Sequence, residues 1–245
     1  MRKLWNPRGL PDQLWHFTTV EGKESIEANR ELWATRLQKL HNSDRLEWRL
    51  GWSTLRNVME GIVETEDSEI GRIALTKLSD DAGPFADKLQ AHVACFTEEG
   101  PLETTRHHFE RMEKGEFVDI SVERELSGYL SPRAMHKIGM HMIPVRYDLD
   151  AFIDIADYVI RGVLSKQENR MQDNQNLETS AAGTASYWAL RTPFTLMSLG
   201  FKRPRYRVEA EWRLVAVHQP ENAQEDVQDI LPIEMADIGK PLDQI

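Results

Sequence analysis

The segment Glu209-Ala210-Glu211-Trp212-Arg213-Leu214-Val215-Ala216-Val217 constrains this chain most. Trp212, Leu214 and Ala216 alternate with Arg213, Val215 and Val217, the period of a pleated strand. Glu209 and Glu211 stand two apart, so on a strand both point to one face, with Arg213 beside them. Adjacent carboxylates repel, and one pKa of such a pair tends to rise. Arg213 could hold one ionised while the other works. The competing reading is a surface strand edge carrying a Glu-Arg ladder.

Directly before this strand lie Lys202, Arg203, Arg205 and Arg207, the densest basic cluster of the chain. The cluster suits a diphosphate or a nucleic-acid strand; as a solvated loop it would only balance nearby acids. The chain as a whole carries a net charge of -10, which speaks against backbone-driven nucleic-acid binding over the entire surface.

Periodicity places the other elements. Leu14–Thr18 reads as a short strand, Thr19 as the cap of a helix over Val20–Arg30, and Glu31–Thr35 as a second strand. A long helix is expected from Asp44 to Glu64, with Ser43 or Asp44 at its N-cap, and another from Ser68 to Leu78, broken by Asp80–Pro84. Ala91–Phe96 is an apolar strand running into Thr97-Glu98. Glu116–Val122 alternates as a strand, 128–139 reads as a polar loop, and Met142–Tyr147 as a strand. A helix over Ala151–Leu164, capped by Asp148 or Asp150, precedes a polar stretch, 166–176, expected to be a flexible loop. Leu177–Leu199 reads as a helix interrupted near Pro193. The tail from 230 holds one last short strand. Strands at both ends with helices between them predict a single α+β domain over 1–245, with short strands in a split mixed sheet.

Other chemistries lack their motifs. The histidines have no ligand spacing and no His-Glu-x-x-His pattern, so no metal site is expected. There is no Gly-x-Ser-x-Gly elbow, P-loop or Gly-x-Gly-x-x-Gly, so kinase, P-loop ATPase and Rossmann readings fall away. If NAD is used, it is as a substrate that is split. Cys95, the sole cysteine, reads as inert core and suits a reducing cytoplasm. No apolar run reaches membrane-spanning length, and the N-terminus lacks the apolar core of a signal peptide.

Two stretches, Leu14-Trp15-His16-Phe17-Thr18 and Phe201-Lys202-x-Pro204 followed by Glu209-x-Glu211-Trp212-Arg213-Leu214, resemble the bacterial and phage family catalogued as domain of unknown function 2971. Cys95-Phe96-Thr97-Glu98-Glu99 resembles its Cys-Phe-Ser-Glu-Glu motif, with Thr97 in the serine position. Asn42, Ser43, Asp44 and Glu47 match a further motif in shifted order, and the tryptophan expected after Pro101 is absent. The family is in turn similar in motif order to ADP-ribosyltransferases.

That resemblance implies cleavage of NAD and transfer of ADP-ribose to nucleic acid or protein, as a toxin or phage-defence effector. Glu211 would be the catalytic carboxylate, stabilising the oxocarbenium ion, and Glu209 would assist at the acceptor. His16, Thr18, Thr97, Glu98, Arg213, Lys202 and Arg205 would bind substrate. Two alternatives stand beside it. One is a non-catalytic nucleotide- or nucleic-acid-sensing module. The other is a metal-dependent nuclease using Glu209, Glu211 and Asp119. Oligomeric state is not set by the sequence.

Overall fold

The computed structural model describes residues 11, 13–40, 42–82, 91–98, 116–121, 138–173, 178–218 and 229–234. The expectations for 99–109, for 128–137 and for the tail beyond 234 lie outside them. The chain forms two compact units. Residues 42–88 and 146–202 make one; 2–41, 89–145 and 203–245 make the other.

The first unit is helical: α2 (Asn42–Glu66), α3 (Glu69–Ala82), α4 (Leu149–Asp173) and α5 (Thr179–Leu199). Trp48, Trp52, Leu55, Met59 and Ile62 recur at helical spacing on α2, and all are buried. Trp52 meets Phe194 of α5 edge to face, with ring centroids 5.7 Å apart. Gly51 is required by close approach: a Cβ there would stand 2.5 Å from the Ser198 carbonyl oxygen. The start of α2 at Asn42 puts Ser43 and Asp44 inside the first turn, not at the cap.

The stretch 166–176 is not a loop through 173, because α4 continues to Asp173. Gln167 is buried, and Glu168 accepts a hydrogen bond from Ser68 Oγ at 3.0 Å. Tertiary contact thus overrides a polar composition. Nor does Pro193 interrupt α5, which runs unbroken with Pro193 inside it. Packing against α2, α3 and α4 retains the helix despite the lost N–H.

The second unit is a sheet. Its strands are β1 (Gln13–Thr18), β2 (Glu31–Arg36), β3 (Ala91–Thr97), β4 (Glu116–Ser121), β5 (Ile138–Pro144), β6 (Glu211–His218) and β7 (Ile230–Glu234). Helix α1 (Val20–Asn29) joins β1 to β2, and Thr19 Oγ1 accepts the Gly22 N–H at 3.0 Å as its cap.

One edge of β3 pairs along its length with β6, which also carries β5. The other edge is divided: Thr97 pairs with Trp15 of β1, while His92 and Val93 pair with Arg36 and Thr35 of β2. Outer strands β4 and β7 extend the two arms. The strands thus form one open antiparallel sheet, and with the helices they give an α+β architecture, where a split mixed sheet is expected. Every strand pairing here is antiparallel, because each intervening segment returns the chain reversed. The one parallel contact among the described residues is the isolated bridge Arg146–Phe201 in the helical unit.

Leu14, Ile26, Leu32, Ala34, Ala94, Phe96, Trp212, Leu214, Ala216 and Ile233 form the core on one sheet face. Arg213, Val215 and Val217 on the opposite face of β6 are buried too. A strand buried on both faces fits its central position between β3 and β5.

Candidate functional site

Two carboxylates open strand β6, and the structure corrects how they are arranged. Glu209 is not on the strand. Pro204–Glu209 forms a 3-10 turn, and Ala210 then adopts the left-handed conformation, φ 40° and ψ 47°. That conformation is costly for a residue with a Cβ and redirects the chain by one residue. Glu209 and Glu211 therefore do not share one strand face, because the two-residue period breaks at Ala210. Both carboxylates are nonetheless buried, Glu209 at 3% and Glu211 at 5% exposure.

Glu211 and Arg213 do share a face. Arg213 donates from Nε to Glu211 Oε1 at 2.7 Å and from Nη2 to Oε2 at 3.2 Å. Arg213 is 1% exposed, and it heads the largest fully buried side chains among the described residues. A two-bonded pair in a dry setting holds the carboxylate ionised, since neither charge survives burial alone.

Register decides which residues can join it. Glu211 stands opposite Thr97, and Thr97 opposite Trp15. Directly opposed residues of an antiparallel pair project to the same face. The row beside Glu211 is thus Thr97, buried at 1%, and the half-buried Trp15. Trp15 has no part in the sequence reading of the site. The signal that finds it is Leu14: with Leu14 in the core, Trp15 and Phe17 must face the other way.

His16 and Thr18 therefore do not converge with Glu211. His16 packs on Phe96, ring centroids 5.7 Å apart, on the core face. Its Nδ1 bonds the Cys95 carbonyl at 2.8 Å, bridging the place where β1 and β3 diverge. Burial lowers its pKa, partly opposed by that hydrogen bond, so the ring is neutral. Thr18 lies under the first turn of α1: a Cβ on Gly22 would come 2.3 Å from Thr18 Oγ1. Glu98 accepts the indole N–H of Trp212, also on the core face.

The members of the basic cluster differ in exposure. Lys202 belongs to the helical unit and is buried at 5%, its backbone N–H donating to the Arg146 carbonyl at 2.9 Å. Arg205 and Arg207 are exposed on the 3-10 turn. Cys95 is half-buried opposite Arg213, so it is less enclosed than a core thiol.

For a shared metal the spacing is wrong. Asp119 stands opposite Trp15 on β4, three strands from Glu211 along the row β4-β1-β3-β6. That is roughly 14 Å at ordinary strand spacing. No group of three or more potential ligands occurs among the described residues. No helix among them is long and apolar enough to cross a membrane.

No family model, no curated protein and no solved structure matches the chain.

In the helical unit, Glu47 of the partly matching motif is wholly buried. Next to it the indole N–H of Trp48 is buried without a hydrogen-bond partner among the described residues.

Proposed function

We propose that the chain is a cytoplasmic NAD-cleaving enzyme resembling ADP-ribosyltransferases, with its chemistry at the head of β6. The observation that carries this reading is the Glu211–Arg213 pair. Loss of nicotinamide builds positive charge on the ribose, and the group that stabilises it must stay anionic in a dry site. A carboxylate bonded through both oxygens to a buried guanidinium stays anionic. Thr97 and Trp15, in register beside it, would provide a hydroxyl and an aromatic wall. Glu209, one left-handed residue away, would serve the acceptor. His16, on the other face, has no role in this version.

One observation favours a second reading, a nucleotide-sensing module without turnover. Both oxygens of Glu211 are already engaged, and the side chain is 4% exposed. A structural ion pair would look the same.

The test is nicotinamide release from NAD by the purified chain, with and without cell extract to supply an acceptor, beside Glu209→Gln and Glu211→Gln. Thermal melts establish that each variant is folded. Release by the wild type that disappears in folded Glu211→Gln supports the enzyme. NAD binding without release supports the sensing module. Neither binding nor release by folded wild-type protein ends the enzyme reading and excludes NAD as the sensed nucleotide.

A further inference from the structure

We infer that the 3-10 turn Pro204–Glu209 is a phosphate-contacting surface for single-stranded nucleic acid. The inference stands independently of NAD cleavage.

The chain is acidic, at -10, so an exposed arginine is expected to find a carboxylate. Arg56 pairs with Glu60 at 2.8 Å, Arg72 with Asp67, and Arg161 with both Glu66 and Asp157, whereas Arg49 and Arg170 are exposed without an ion pair among the described residues and stand singly on helices. The turn places two such arginines together. Arg207 is exposed and has no ion-pair partner among the described residues. Arg205 is exposed and turns to an aromatic ring, not to an acid. Its guanidinium lies 4.7 Å from the Tyr206 ring centroid, and Nη2 donates to the Tyr206 hydroxyl at 2.8 Å.

That stacked geometry has a consequence. One N–H of a five-donor fork is used, so the other donors of Arg205 remain available, and stacking has already removed much of the side chain's rotamer freedom. Such a guanidinium loses little entropy on meeting a phosphate. The turn is itself rigid: Pro204 sets its start, and Ala210, with its N–H donating to the Arg207 carbonyl at 3.1 Å, sets its end. Two uncompensated guanidinium groups two residues apart, flanking a half-exposed tyrosine, suit consecutive phosphates of a strand with a base against the ring. The acidic remainder of the surface opposes a long duplex lying across it.

The experiment is fluorescence anisotropy of a labelled mixed-sequence single-stranded oligonucleotide, RNA or DNA, titrated with the full chain in the absence of NAD. Two phosphate contacts on a single strand predict a Kd that weakens about sevenfold between 50 and 200 mM salt. R205Q/R207Q is expected to abolish that salt dependence and most of the binding. R56Q/R72Q, which removes equal charge from the helical unit, is expected to leave them intact. Inorganic diphosphate is the competitor. Displacement of the oligonucleotide by micromolar diphosphate would instead assign a small-phosphate site and overturn the nucleic-acid inference. So would binding that R205Q/R207Q leaves unchanged, equal loss in R56Q/R72Q, preference for a duplex of the same length, or no binding at 50 mM salt. Because no NAD is present, any of these results leaves the nicotinamide-release assay to be judged by itself.

Discussion

Breaking the Glu211–Arg213 pair one partner at a time is the perturbation with the largest expected effect. Both side chains are nearly inaccessible, at 4% and 1%, and the strand that carries them is hydrogen-bonded on both sides. Removing one member takes two charge-assisted hydrogen bonds from the other in a buried setting, and breaking a buried pair typically costs about 3–5 kcal/mol. For a chain of this size that is a fall in Tm of about 6–20 °C. Arg213→Met should therefore be severely destabilised, and Glu211→Gln somewhat less, since the amide oxygen still accepts from Nε. The double variant Glu211→Leu/Arg213→Met removes both charges and should recover much of the loss, a coupling of about 2 kcal/mol or more. Urea denaturation followed by tryptophan fluorescence measures this directly, because Trp212 lies between the two residues. If each single variant costs under about 1 kcal/mol, the pair behaves like an exposed one and the desolvation argument is wrong. If the double variant is as damaged as the sum of the singles, the two residues are not coupled.

Three other outcomes follow from particular residues. Burial holds the His16 pKa below its ordinary value, while the unfolded imidazole titrates near about 6.5. The unfolded chain then binds more protons as pH falls below that value. Stability is full above it and declines on acidification; in melts across this range His16→Gln should flatten the decline, leaving the share of His141, which burial also lowers. An unchanged slope in the variant would remove His16 from the account. Ala210→Gly should stabilise by up to about 1 kcal/mol, because glycine adopts φ 40° without strain, and Ala210→Val should destabilise; equal effects in denaturation would refute the strain. Gly51→Ala should cost about 1–3 kcal/mol against the Ser198 backbone. Gly162→Ala, with nothing within 4 Å of its Cβ, should gain about 0.8–1 kcal/mol in helix propensity, so their Tm shifts must have opposite signs.

The sequence alone determined where most elements lie. A two-residue or 3.6-residue apolar period is a property of the local chain, and it located β1, β3 and β6 and the helices of the helical unit to within a few residues or, at the end of α4, one long extension. Thr19 was legible as a cap for the same reason. What the sequence also supplied, but only as residue types, was the content of the site: Glu209, Glu211, Thr97 and Arg213. Their arrangement was decided by tertiary structure. Strand register depends on pairing across long separations, so nothing local says that Thr97 meets Glu211 while His16 turns to Phe96. A left-handed alanine carries no sequence mark, so the break between Glu209 and Glu211 is invisible until Ala210 is placed. Polar residues 166–173 read as a loop because composition reports average exposure, whereas one bond from Ser68 to Glu168 and a buried Gln167 fix them as helix. The division into two units escapes a linear reading altogether, because each unit is assembled from segments far apart in the chain.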